Sequence, residues 1–397
     1  MGKLFDGEVF ENNKDYKEIL SNSDEQINKK YNRGEVRIVT EQARYPLPTL
    51  SELFSKDKYN LHPEFQRRRR WSQEKKSKLI ESFIINVPVP PVFLYEVDYA
   101  SFEVMDGLQR ITTIIDFYED RYSLVGLEEW AELNGKKYSE LPERIKEGID
   151  RRYLSAIILL KESAKDNDEA DRLKKLVFER LNTGGVRLSP QETRNALYDG
   201  RLNKVCIELS SNKTFKQLWG SGEVEESLEE TENDYYEIEK NKLYIDMSDV
   251  ELVLRFLAFR FLDQYTGRLD VFLDNYLKNG NIKYSEEILN KYRELFNKTI
   301  DLANKLFGDK AFRQYKEFRG KYKWSEPVRT AYDPMMQALS DYIYGDYNFE
   351  IKTLSERQKI LQDMYKDNID KFNGKKQSKS DIQERIDLIK NVINKLK

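Results

Sequence analysis

The sequence predicts an α+β fold: a small mixed sheet with helices in the N-terminal half, followed by an all-helical C-terminal region. Three observations predict it. Between residues 45 and 204, short runs rich in Val, Ile, Phe and Tyr alternate with amphipathic stretches of helical period. Beyond residue 205 the helical period continues with little interruption. Proline and glycine clusters fall between these stretches rather than inside them. Strands mixed with helices in this order form a sheet covered by helices.

In chain order, residues 1 to 44 are polar and mixed, and read as an irregular or helical arm. Tyr45-Pro46-Leu47-Pro48 marks the start of the packed region. Ser72 is placed to cap a helix over 73 to 86, with Glu74 in its first turn and Leu79, Ile80, Phe83 and Ile84 on one face. Pro88, Pro90 and Pro91 end it. Val92 to Tyr95 and Phe102 to Met105 read as strands, and Asp106-Gly107 as the turn into a helix over 109 to 118. Ala156 to Leu160 reads as a buried strand, and 168 to 181 as a helix that stops at Gly184-Gly185. Ser189, Pro190 and Glu192 together spell a capping box with proline at the first helical position. Residues 221 to 240 form an acidic loop. Ser248 and Glu251 suggest another capping box, before a segment from Leu252 to Leu262 that is apolar nearly all round apart from Arg255 and Arg260. Helices over 285–307, 326–344, 355–371 and 379–396 complete the pattern. The domain plan is an arm (1–44), an α+β domain (45–204), a helical continuation with the acidic loop (205–280) and a C-terminal helical domain (281–397).

Composition narrows function by exclusion. The 397 residues carry a net charge of −3 with 35% charged side chains, which predicts a soluble protein and no general nucleic-acid coat. No stretch has the roughly 20 apolar residues of a membrane span, and no leader pattern opens the chain, so a cytoplasmic protein is expected. A single cysteine, Cys206, allows no internal disulfide. A single histidine, His62, leaves too few parts for histidine-rich zinc sites or a Ser-His-Asp triad. Walker A and GxGxxG loops are missing too.

Three polar clusters stand at element ends, where a core has little use for them. Pro63 to Trp71 contains Gln66 and four consecutive arginines, Arg67, Arg68, Arg69 and Arg70, whose planar forks suit phosphate; a solvated basic loop has the same composition. Asp106-Gly107-Leu108-Gln109-Arg110 follows a strand and opens a helix, with Thr112 and Thr113 behind it. Gly107 permits close backbone approach, and the helix start offers unpaired N–H groups to an anion. Asp106 either caps this helix or helps hold a metal ion against a phosphate. The third cluster, Phe178 to Gly185 followed by Ser189 to Asn195, gathers Glu179, Arg180, Asn182, Thr183, Gly184 and Arg194 around a helical corner.

In this order and spacing the clusters resemble the N-terminal domain family of GmrSD restriction proteins, whose members read NPEFQR…W, PIPP, DGQQR-TT, then FERLNTGG and L-x-x-E-x-R-N. Here these are His62 to Arg67, Val87 to Pro91, Asp106 to Arg110 with Thr112-Thr113, and Phe178 to Gly185 with Leu188 to Asn195. The resemblance spans roughly residues 45 to 280. The order also looks like a remote relative of ParB and sulfiredoxin, so a ParB/sulfiredoxin-like sheet is implied; Leu108 and Gln109 stand where sulfiredoxin chemistry needs a cysteine, which argues against redox repair. Two residues depart from the family pattern: Leu108 replaces a glutamine and His62 an asparagine.

The resemblance implies a nucleoside triphosphate site, a divalent cation such as Mg²⁺ and coupling to DNA restriction. By position it implies catalytic roles for Asp106, Gln109, Arg110, Glu179 and Arg180. Nucleotide contacts would come from Gln66, Arg67, Gly107, Arg110, Thr112, Thr113, Asn182, Thr183, Gly184 and Arg194, and DNA contacts from Arg68, Arg69 and Arg70. Asp106 and Glu179 would hold the metal. Many relatives continue into an HNH nuclease; with one histidine this chain shows none, so an HNH-type partner subunit is expected, and a homo-oligomer is compatible. The alternatives are a nucleotide- or DNA-sensing module without turnover, and a metal-dependent nickase that uses the ParB-like site itself.

Overall fold

In the computed structural model, which describes residues 4–11, 23–32, 38–55, 58–61, 71–163, 167–181, 189–220, 242–345, 352–375 and 377–396, the first half of the chain builds a five-stranded mixed sheet. Its strands are β1 (Thr40–Pro46), β2 (Tyr59–Asn60), β3 (Val92–Asp98), β4 (Ser101–Asp106) and β5 (Tyr153–Leu159), in the order β1-β5-β3-β4-β2. β1 pairs antiparallel with β5, β5 parallel with β3, β3 antiparallel with β4, and β4 parallel with β2. The helices of this unit are α1 (Asp24–Asn32), α2 (Leu50–Phe54), α3 (Gln73–Ile84), α4 (Leu108–Tyr118), α5 (Glu143–Asp150) and α6 (Asn167–Leu181). Leu94, Val104, Ile111, Ile114, Phe117, Leu154 and Ile158 lie in its core. Ser72 caps α3 as expected, its side chain accepting from the Lys75 amide. Lys174 of α6 and Glu103 of β4 are both buried and joined at 2.6 Å, which ties that helix to the sheet.

A second unit is mostly helical: α7 (Pro190–Leu197), α8 (Arg201–Ser210), α9 (Lys213–Trp219), α10 (Lys242–Ile245), α11 (Ser248–Ala258), α12 (Leu269–Lys283), α13 (Glu286–Phe307), α14 (Arg329–Ser340), α15 (Leu354–Asp367) and α16 (Lys379–Asn394). The capping box at Ser189 and Glu192 forms at the start of α7. In α11, every residue from Asp249 to Ala258 is buried, as its all-round apolar character requires.

Four expectations need correction. The second half is not all-helical: Arg313–Phe318 (β6) and Lys321–Pro327 (β7) pair as an antiparallel hairpin, and α14 starts only at Arg329. Ser248 does not cap α11; the chain enters through Met247 at φ 52° with no side-chain cap, and Ser248 is the first helical residue. The apolar segment is not one straight helix, because it turns to a tighter helix at Phe259 with a kink at Phe261. Nor is the arm from 1 to 44 irregular or helical throughout. Thr40 to Arg44 belong to β1, while Glu8 and Phe10 are buried in the helical unit, where Arg260 donates to both Glu8 oxygens at 2.6 and 2.7 Å. The acidic loop, 221 to 240, lies outside the described residues.

Candidate functional site

Asp106 ends β4, Gly107 turns the chain at φ 97°, and α4 starts at Leu108. The turn is tight. The amides of Arg110 and Ile111 both donate to the Gly107 carbonyl, while those of Leu108 and Gln109 have no carbonyl a turn earlier in the helix. Gly107 is the N-cap residue and makes no side-chain cap, so Asp106 is not spent on capping. Instead its Oδ2 accepts from Arg110 Nη2 at 2.8 Å, and the same nitrogen reaches the Pro91 carbonyl at 3.3 Å. This pair is asymmetric: the Arg110 side chain keeps 16% of its surface exposed and that of Asp106 44%. Arg110 Nε and the Thr113 hydroxyl are buried without a hydrogen-bond partner. Buried donors of this kind are normally satisfied, and a missing ligand is one physical reason for an exception.

The neighbouring residues are braced. Gln109 Oε1 accepts from the Trp71 amide at 3.3 Å, and the Trp71 ring carries the Lys75 ammonium 4.7 Å from its centre. The Thr112 hydroxyl donates to the Leu108 carbonyl at 3.0 Å, so its proton is held by the helix itself. Glu179 and Arg180 stand exposed at the end of α6, where Glu179 faces Lys175 at 3.9 Å. Gln66, Arg67, Arg68, Arg69 and Arg70, and likewise Asn182, Thr183 and Gly184, lie outside the described residues. Among the described residues, no three His, Cys, Asp or Glu side chains gather as a ready-made metal cage. A Mg²⁺ ion, however, commonly takes one or two carboxylates plus the phosphates of its substrate, and the half-exposed Asp106 beside a helix start fits that mode.

Arg194 belongs to a different constellation, in the helical unit. Its Nε donates to Asp274 at 2.8 Å and its Nη1 to Glu251 at 3.2 Å and to Gln191 at 3.2 Å. Glu251 also faces Arg255 at 3.8 Å and Arg329 at 3.6 Å. Arg194, Glu251 and Arg329 line a cavity of about 230 Å³ with Asp246 and Asp270. Sequence reasoning found Arg194 but missed Glu251 and Asp274 as its partners, since only tertiary packing joins α7, α11 and α12.

Residues 50–198 match the family model described as GmrSD restriction endonuclease, N-terminal domain. No curated protein and no solved structure matches the chain. The matched segment contains the Asp106–Arg110 turn, the end of α6 and the capped start of α7, so the elements that carried the resemblance are the ones the family model covers. Residues 50–198 are therefore similar to the N-terminal domain of GmrSD restriction endonucleases.

Proposed function

We propose that the chain is a nucleotide-binding and NTP-hydrolysing subunit of a DNA restriction system directed at foreign, modified DNA. The observation that carries this reading is Arg110: a mostly buried guanidinium, oriented by Asp106 and the Pro91 carbonyl at the start of α4, with Nε unspent. A charge already held in place beside first-turn amides is suited to a phosphate that gains negative charge during transfer. Gly107 keeps the approach clear. Asp106 would hold a divalent cation whose role is to neutralise phosphate charge. Arg180 and Glu179, together with Gln66, Arg67, Asn182, Thr183 and Gly184, would complete the site. Arg194 is a weaker candidate for a nucleotide contact, because carboxylates already engage its guanidinium. DNA contacts fall to Arg68, Arg69 and Arg70, and strand cleavage to a separate HNH-type nuclease subunit.

The test is phosphate release by the purified chain with each NTP and magnesium, with and without plasmid DNA. Arg110→Ala should abolish turnover and weaken nucleotide binding by about 1.5–3 kcal/mol, the range for a hydrogen bond to a charged group. Binding without turnover in the parent protein would convert the reading to a nucleotide sensor, and nicking of plasmid by the chain alone would convert it to a nuclease.

A further inference from the structure

The β6–β7 hairpin belongs to none of the motifs above. Its register sets Lys316 opposite Lys323 and Phe318 opposite Lys321. Cross-strand partners and residues two apart share a face, so these four side chains project together. All four are exposed, and Phe318 keeps 49% of its surface. The opposite face is anchored. Tyr315 stacks on Tyr322 with centroids 5.8 Å apart and meets Trp324 at 5.3 Å, while Trp324 meets Tyr365 of α15 at 6.3 Å. Lys366 of the same helix covers the rings of Tyr315 and Tyr322 at 5.4 and 5.5 Å.

Two features of the outward face oppose the fold. Lys316 and Lys323 place like charges directly across the ladder, which is destabilising. Arg319 at φ 52° and Gly320 at φ 78° form the two-residue turn; a left-handed conformation at the first position favours Asn, Asp or Gly, yet an arginine stands there. Its guanidinium lies 5.4 Å from the Phe318 ring centre, and the Lys323 ammonium lies 4.2 Å from it. Residues 313 to 327 hold five Lys and Arg against two Glu, in a chain whose net charge is −3. One of those glutamates, Glu326, is held by Arg313 at 3.1 Å. Among the described residues, no carboxylate pairs with Lys316, Arg319, Lys321 or Lys323. Local rules broken together, with the Phe318 ring but no carboxylate to offset them among the described residues, mark a surface shaped by a ligand.

We propose that the β6–β7 hairpin is a duplex-DNA-binding element, with Lys316, Lys321 and Lys323 on backbone phosphates and the Arg319–Phe318 tip at a groove. A two-stranded ribbon is narrow enough to enter the major groove. Single strands fit less well, since Tyr315 and Trp324 pack toward α15, the exposed Tyr322 lies on that same face, and of the hairpin's rings Phe318 alone stands on the lysine face. The choice of DNA among polyanions rests on the restriction-family domain at residues 50–198; the site itself lies outside that domain and needs no nucleotide.

The experiment measures binding of the full chain to a short labelled duplex by fluorescence anisotropy, without nucleotide, across a salt series. A triple variant, Lys316→Gln, Lys321→Gln and Lys323→Gln, should make the log–log salt slope shallower by about 2.7, at roughly 0.9 per lost phosphate contact. Its affinity at low salt should fall at least tenfold. Phe318→Ala should weaken binding and leave the slope intact. A Lys→Arg triple variant should bind like the parent, and unchanged thermal midpoints confirm that the variants fold. Parental affinity and slope in the Gln triple variant would overturn the proposal. So would tighter binding to single strands that Phe318→Ala abolishes, or loss of binding to anionic vesicles with duplex binding unaffected. Duplex binding that survives Arg110→Ala separates this surface from the phosphate site, so either reading can fail alone.

Discussion

Gly107 carries the sharpest single-residue constraint in the candidate site. A methyl group there would lie 2.4 Å from Val92 Cγ1 and 2.9 Å from Arg110 Nη2, and the backbone at φ 97° is left-handed. One substitution therefore strains the turn and pushes on the guanidinium that the proposed chemistry depends on. Gly107→Ala should cost about 1–3 kcal/mol by urea denaturation, the range for strained backbone and overpacking. Nucleotide binding should fall further than the loss of folded protein explains. Gly135 supplies the control. Its φ is 86°, but nothing lies within 4 Å of an added methyl group, so Gly135→Ala should show backbone strain alone and leave binding unchanged. Equal behaviour of the two variants would remove Gly107 from the site.

At the scale of elements, a buried ion pair, Lys174 to Glu103, ties α6 to the sheet, with the ammonium 5.5 Å from the Tyr95 ring centre. Lys174→Met should take the ammonium away from a buried carboxylate and destabilise the sheet unit by about 3–5 kcal/mol, whereas the Lys174→Met, Glu103→Leu double variant should recover most of it. Additive losses in that cycle would show that the pair does not hold the helix. Such long-range pairs mark the limit of what the sequence discloses. Ser72 and Ser189 were legible because a cap depends on residues three positions apart, which the sequence displays directly. The same pattern misled at Ser248, because the left-handed Met247 brings the chain in from a direction that only the fold sets; the Ser248 hydroxyl instead accepts from Arg329 at 3.3 Å. The hairpin escaped notice because its strands carry lysine on one face and its turn reads Arg-Gly rather than Asn-Gly. In the candidate site, the strand–turn–helix at Asp106 was readable from composition, but the Asp106–Arg110 bond that replaces capping was not.

At the scale of the whole chain, the helical unit is closed by residues from the far N-terminus. Phe10 packs edge-on to Phe261, Phe272 and Tyr276 at 5.6, 5.6 and 5.4 Å, and Glu8 meets Arg260 across 252 positions of sequence. The Tyr292 hydroxyl donates to the same carboxylate at 2.9 Å. Glu8→Gln takes a carboxylate charge away from the buried Arg260 guanidinium, at a cost of about 3–5 kcal/mol. Cys206 reports on that cost. It sits fully buried in α8 of the same unit, and burial pushes its thiol well above the ordinary range, so neither the sulfur nor its thiolate is available to a reagent until the unit opens. Labelling by a disulfide reagent should thus be slow in the parent protein and follow the opening equilibrium. In Glu8→Gln it should accelerate by two orders of magnitude or more, since about 1.4 kcal/mol corresponds to tenfold. A labelling rate equal to the parent's would mean that the N-terminal segment does not close the helical unit, and that its buried contacts contribute nothing to holding α8 in place.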